Sequence, residues 1–204
     1  MPMLFLIAGL MLADPQAAPL ATAGGEGAPP PVTSPSLAAA APELAALPGV
    51  VLVGYPVDGR SPRAIRDSIN DRRPRLPQGE AFDARTDWRY QTQWKGGAGG
   101  CDPATAEVDM TVIVTLPELT TRDALDRRER EQWDRYYKAL IGHEHNHVRI
   151  ALAAAEQMRT YMRAAPDCAS MQAVQRQIGA SIQPANDAYD ESTRHGRSEG
   201  ATYP

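Results

Sequence analysis

The chain of 204 residues holds only four histidines, and three of them stand in the pentapeptide His143-Glu144-His145-Asn146-His147. On a helix, positions i and i+4 share a face one turn apart. His143 and His147 can therefore each aim a ring nitrogen at a single Zn²⁺, at about 2.0–2.1 Å. Glu144 sits about 100° round the helix from His143, near enough to serve a water on the metal without ligating it. That is the general-base position of an H-E-x-x-H zinc peptidase. His145, two residues on from His143, points away from the pair. Gly142, just ahead of the motif, leaves room for a backbone or substrate to approach closely.

The flanks bear on whether this is a metal site or a solvated helix face. Leu140 and Ile141 precede the motif, and Val148, Ile150 and Ala151–Ala155 follow it. Imidazoles inside so apolar a segment are partly buried, where unsatisfied polar atoms are costly and a metal would satisfy them. A catalytic zinc takes three protein ligands and keeps one position open. The metzincin continuation is absent: Ile150 stands where it needs glycine, and no histidine follows. Glu156 and Glu191 are carboxylate candidates for the third ligand. His195, in the segment Tyr189-Asp190-Glu191-Ser192-Thr193-Arg194-His195-Gly196, is the stronger one, because a carboxylate there competes with Arg194 and Gly196 allows a sharp turn. Asp190 is placed to orient a ligand imidazole, and Tyr189 to donate to a developing oxyanion. The plainer alternatives are a terminal histidine beside a helix dipole for His195, and packing or capping for Tyr189 and Asp190.

Elements to position these groups can be read on both sides of the motif. Val50–Tyr55 is a β-branched run bounded by prolines, the pattern of a strand. Ser61-Pro62 offers an N-cap with proline at N1, predicting a helix over Arg63–Arg72 with Ile65 and Ile69 on its apolar side. Thr86–Trp94 alternates, with Trp88, Tyr90, Thr92 and Trp94 on one face, as in a half-buried strand. Glu107–Leu116 alternates likewise through Val108, Met110, Val112 and Val114, and Leu116-Pro117 closes the sheet region. These two runs predict an antiparallel pair joined by the glycine-rich Gly96–Gly100 loop. A long helix capped at Thr120 or Thr121 follows, carrying Leu125, Trp133, Tyr137, Leu140, Ile141, Val148, Ala151, Ala155, Met158 and Met162 roughly on one stripe. A second helix runs from near Cys168 to about Ile182, where Gln183-Pro184 ends or kinks it, with a further turn over Asn186–Gly196. The predicted class is α+β: a small antiparallel sheet packed against the long motif-bearing helix and a C-terminal helix, zincin-like.

Composition narrows the setting. A formal net charge of −4 gives no basic footprint for nucleic acid. Apart from the first dozen residues, no apolar run approaches the ~20 needed to cross a bilayer. Met3–Leu12 has the length of a signal-peptide core, and Ala21-Thr22-Ala23 is an acceptable cleavage pattern, although no Lys or Arg precedes the run. Residues 1–23 thus read as a signal peptide, 24–48 as an Ala/Pro/Gly-rich linker and 49–204 as one domain. In an exported chain, Cys101 and Cys168 form a natural disulfide, worth roughly 4 kcal/mol in the chain-entropy model.

The Trp/Tyr-rich strand, the cysteine before a valine-alternating strand ending in Leu-Pro, the H-E-x-x-H, the second cysteine and a terminal Y-D-x-x-T-x-H-G together resemble the domain of unknown function nine-two-two. That bacterial family is described as predicted secreted zinc-dependent proteases. The resemblance covers roughly Val50–Gly196 and implies His143, His147 and His195 as ligands with Glu144 catalytic. The expectation is a secreted or periplasmic zinc-dependent peptidase acting on a peptide or protein substrate, with water activated by the metal and deprotonated by Glu144. The alternative is a non-catalytic zinc-binding protein of the bacterial envelope. A cell-wall amidase is a third reading.

Overall fold

The computed structural model describes residues 31–75, 79–97 and 100–204. The predicted signal peptide and the first part of the linker lie outside these residues. The rest of the linker is ordered and folded onto the domain. Pro35–Ala40 (α1) and Pro42–Ala45 (α2) are short helices, each opened by its proline, and Leu37 and Leu44 are buried. Ser34 N–H donates to the Leu52 carbonyl, tying this segment to the first strand. Two leucines in an otherwise small-residue stretch are enough to seat it, so the folded body begins before residue 49.

Three strands form one sheet in the order β1-β3-β2, with β1 at Val50–Val57, β2 at Arg85–Lys95 and β3 at Asp102–Leu119. β2 and β3 are antiparallel, pairing Trp88 with Val112 and Tyr90 with Met110. β1 pairs with β3 in parallel, from Val50 opposite Val112 to Val57 opposite Leu119. The sheet is therefore mixed, not wholly antiparallel. The chain between β1 and β2 carries the helix Pro62–Arg72 (α3), capped by Ser61 as predicted.

Pro117 does not end β3, which continues to Leu119. The N–H of Val112 reaches the Gly49 carbonyl just before β1 and that of Thr120 the Val57 carbonyl at its end, so even-numbered amides of β3 face β1 and odd-numbered ones face β2. Pro117 lies beyond the last β2 pairing, Arg85 with Thr115. Its missing donor falls where the ladder has already stopped.

Val108, Met110, Val112, Val114 and Leu116 are buried on one face of β3. Against them lies a 37-residue helix, Arg127–Arg163 (α4). Its N-cap is Asp126, in a reciprocal capping box with Glu129, and not Thr120 or Thr121. Those threonines lead instead into a single 3₁₀ turn over Arg122–Ala124. Asp126 outcompetes them because a carboxylate at the N-cap also meets the helix dipole.

The last long helix, Cys168–Thr193 (α5), runs unbroken through Pro184. Proline removes the bond to the carbonyl of Ala180, but both residues lie on the exposed face, where water can take that carbonyl. Cys101 and Cys168 are disulfide-bonded with Cα atoms 5.9 Å apart, pinning the start of α5 to the start of β3. Further along, Tyr90 of β2 lies against Gly179, where a Cβ would sit 2.1 Å from the phenol oxygen.

Candidate metal centre

Helices α4 and α5 are joined by only four residues, which makes them antiparallel neighbours. The apolar stripe of α4 (Trp133, Tyr136, Leu140) continues directly into His143 and His147, then on to Val148 and Ala151. On α5 the stripe Met171, Ile178, Ile182 continues into Asn186, and Asp190 follows one turn later. Where the two stripes meet, polar residues replace apolar ones. His147 faces Asn186, and His143 faces Asp190.

The Nε2 atoms of His143 and His147 lie 3.2 Å apart, and Asp190 Oδ1 is 3.1 Å from the first and 3.2 Å from the second. The outer ring nitrogens are also held. His147 Nδ1 is 2.7 Å from Asn186 Oδ1, whose amide nitrogen donates to the Ile182 carbonyl. That bond fixes the Asn186 oxygen as the acceptor, so His147 carries its proton on Nδ1. His143 Nδ1 is 2.9 Å from Glu199 Oε2 and likewise donates to it. Neutral imidazoles in these tautomers turn two Nε2 lone pairs and one carboxylate oxygen toward a common point.

Three acceptors converging without a donor are repulsive unless a proton or a cation lies between them. Burial lowers the affinity of both imidazoles for protons, but hydrogen bonds to Asp190, and to Glu199 for His143, outweigh it and raise both above the ordinary histidine value. Burial likewise opposes ionisation of Asp190, yet the two imidazoles hold its carboxyl well below the usual range. A tetrahedral zinc with bonds near 2.05 Å would set its ligand atoms about 3.3 Å apart. The observed triangle of 3.1 to 3.2 Å matches that spacing, so the donor set fits a zinc-sized ion. Among the described residues, His143, His147 and Asp190 are the group with this convergence.

Glu144 is buried beside the pair, and its Oε2 accepts from the Thr86 hydroxyl at 2.7 Å. Thr86 heads the inward-facing row of β2 that continues through Trp88 and Tyr90, so the sheet positions this carboxylate. Burial pushes the Glu144 carboxyl above its usual range, against the Thr86 hydrogen bond and the charges of His147 and His143.

The third atom of the triangle is Asp190 Oδ1, and His195 lies just outside it. The reason is the unbroken α5, which carries Asp190 one turn past Asn186 on the same face. His195 follows the helix end, where Arg194 and His195 both adopt left-handed backbone angles. Its ring is 63% exposed, with Nδ1 3.8 Å from Asp190 Oδ1. Tyr189 is not free to meet an oxyanion. Its hydroxyl is 2.9 and 3.0 Å from the two Glu199 oxygens and accepts from Asn146 Nδ2 at 2.8 Å, while its ring stacks on His143. Gly142 meets no close neighbour. The close approach is at Gly196, with φ +76°, where a Cβ would lie 3.1 Å from the His143 ring.

Asn186, Thr86 and Glu199 were not singled out from the sequence. Asn186 had a signal, a polar residue on the apolar stripe of α5. Thr86 and Glu199 had none, because their roles depend on how separate elements pack.

A family model described as bacterial protein of unknown function (DUF922) matches residues 53–196. No curated protein and no solved structure matches the chain.

Proposed function

We propose, for a chain that belongs to the DUF922 family of bacterial proteins of unknown function, that it is a zinc-dependent hydrolase of peptide or related amide bonds with a zincin-like site. The observation that carries this reading is the inward convergence of His143 Nε2, His147 Nε2 and Asp190 Oδ1 beside the buried carboxylate of Glu144. His143, His147 and Asp190 would hold the ion, and three protein ligands leave a coordination position for water or substrate. When bound, the ion supplies Lewis acidity toward water and the scissile carbonyl. Glu144 takes the proton from the attacking water and passes it to the leaving amine nitrogen. Burial raises its proton affinity above that of an ordinary carboxylate, the direction that favours taking up the proton of water. His195 is exposed at the edge of the cluster, and its proposed role is donation to the carbonyl oxygen as negative charge builds there.

The disulfide supports an oxidising compartment, and secretion or a periplasmic location is part of the proposal. No helix among the described residues is long and apolar enough to cross a membrane.

The test is hydrolysis of a mixed peptide library by the zinc-loaded chain beside Glu144→Gln. The reading expects cleavage by the wild type, loss of at least about 100-fold in the variant, and equal zinc content in both. Cleavage at the same rate by both would refute it. Full zinc occupancy with no cleavage of peptides or muropeptides by the wild type would leave the metal serving only to pin α5 to α4.

A further inference from the structure

The matched family segment stops at residue 196, yet contacts to the metal cluster continue past it. After the left-handed pair Arg194-His195, Gly196 and Gly200 also adopt positive φ, and a single 3₁₀ turn spans Arg197–Glu199. Ala201 N–H closes the loop onto the Gly196 carbonyl at 3.0 Å. Beyond it, Tyr203 is buried against Trp133 and Tyr136 of α4, with ring centroids 5.5 and 5.0 Å away. The tail is thus anchored on both sides of Glu199, and the anchoring sets its carboxylate 2.9 Å from His143 Nδ1.

The same carboxylate accepts from the Tyr189 hydroxyl, and that phenol oxygen accepts in turn from Asn146 Nδ2. Tyr189 lies flat against the His143 ring, 5.0 Å between centroids at 23°. A Cβ built on Gly196 would lie 3.1 Å from the His143 ring, so this backbone also packs close to it. His143 is therefore held at its face by Tyr189 and at its outer nitrogen by Glu199. His147 has the equivalent partner in Asn186, on a helix within the matched segment.

We infer that the C-terminal tail is a working part of the metal centre, with Glu199 the positioning residue that fixes the His143 tautomer and raises its strength as a ligand, and Tyr189 holding Glu199 in place. An imidazole whose Nδ1–H donates to a carboxylate presents an electron-rich Nε2. The role assigned to Glu199 is specific to metal binding. It rests on the zinc-site reading but not on any hydrolytic activity.

The experiment is a chelator-competition titration of Zn²⁺ on the full chain, with the visible absorption of the Co²⁺-substituted protein as a second readout. Glu199→Ala should weaken zinc binding by about 10- to 100-fold and change the Co²⁺ spectrum. Glu199→Gln, whose amide oxygen still accepts the Nδ1 proton, should recover most of the affinity and the wild-type spectrum. Tyr189→Phe, which keeps the stacked ring but frees Glu199, should fall between them. Glu199 is an exposed residue, so these variants are expected to fold, and thermal unfolding of the metal-free proteins checks it. Zinc affinity of Glu199→Ala within twofold of wild type would overturn the assignment. So would a Gln variant as weak as the Ala variant, which is the result if the tail acts only as packing. A wild-type chain that takes up no zinc overturns this inference and the proposed function together. Tight, Glu199-dependent zinc binding without hydrolysis overturns only the latter.

Discussion

His143 Nε2 lies 3.1 Å from Asp190 Oδ1, while one turn away on each helix His147 Nδ1 lies 2.7 Å from Asn186 Oδ1. As residue numbers rise on α4 they fall on α5, so the two helices meet in antiparallel register along a seam that changes from apolar to polar. One helix supplies both imidazoles. The other supplies an oxygen that completes the cluster and an amide that orients one ring.

That arrangement separates Asp190 from His195. Asp190→Ala should cut zinc affinity by at least about 100-fold, because it removes a direct ligand. His195→Ala should leave affinity within a few-fold of wild type. Equilibrium dialysis with metal analysis of both variants checks this, and the reverse ranking would restore His195 as the third ligand.

The cluster also makes the metal-free protein pH-sensitive. His143 and His147 bind protons more tightly folded than unfolded. Their contribution is fully present below the unfolded value of about 6.5 and is lost as pH rises through the raised folded values. Asp190 is depressed, so its share of the same contacts is present above about pH 4 and lost as pH falls further, toward its lowered folded value. Because zinc competes with those protons, the midpoint of the metal-free protein should fall as pH rises above about 6.5 while the stabilisation added by zinc grows. At free zinc 100-fold above Kd that addition is about 2.7 kcal/mol. Thermal melts with and without zinc across this range would show it; a zinc effect independent of pH would contradict histidine ligation.

Much of this fold could be read before the structure. Ser61-Pro62 marked α3, the alternation of Trp88, Tyr90 and Val108 through Val114 marked the β2–β3 pair, and H-E-x-x-H marked the seam. What failed did so where a local signal was overridden by tertiary context. Pro117 reads as a stop, but it sits beyond the last β2 pairing. Pro184 reads as a break, but it lies on a solvated helix face, and its tolerance is what brings Asp190 into the site. The parallel pairing of β1 has no local signature, because a buried strand looks the same in either direction. Glu199 is an unremarkable surface residue until Tyr203 anchors the tail.

A second ionic cluster supports the scaffold. Asp83, just before β2, receives both terminal nitrogens of Arg66, one from Arg73 and the hydroxyl of Tyr136, and its side chain is 13% exposed. It joins α3, α4 and the approach to β2. Asp83→Ala leaves two guanidinium groups half-buried without their counter-charge and should destabilise the fold by about 3 kcal/mol. Denaturant unfolding measures this, and a change under 1 kcal/mol would mean that water replaces the carboxylate easily.

The disulfide closes a separation of 67 residues between Cys101 and Cys168. The chain-entropy model assigns such a loop about 4 kcal/mol. Unfolding of the Cys101→Ala, Cys168→Ala double variant should show a loss of that order. Zinc affinity should change little, because the bridge lies at the far end of α5 from Asp190. A large loss of zinc binding in a folded double variant would show that the bridge sets the helix register at the site.

The most direct measurement is anomalous diffraction at the zinc edge from crystals grown with zinc. The account predicts one strong peak about 2.0–2.1 Å from His143 Nε2, His147 Nε2 and an Asp190 oxygen, with Glu144 and His195 outside bonding distance. A peak bonded to His195 in place of Asp190, or none between the two histidines at full zinc occupancy elsewhere, would contradict it.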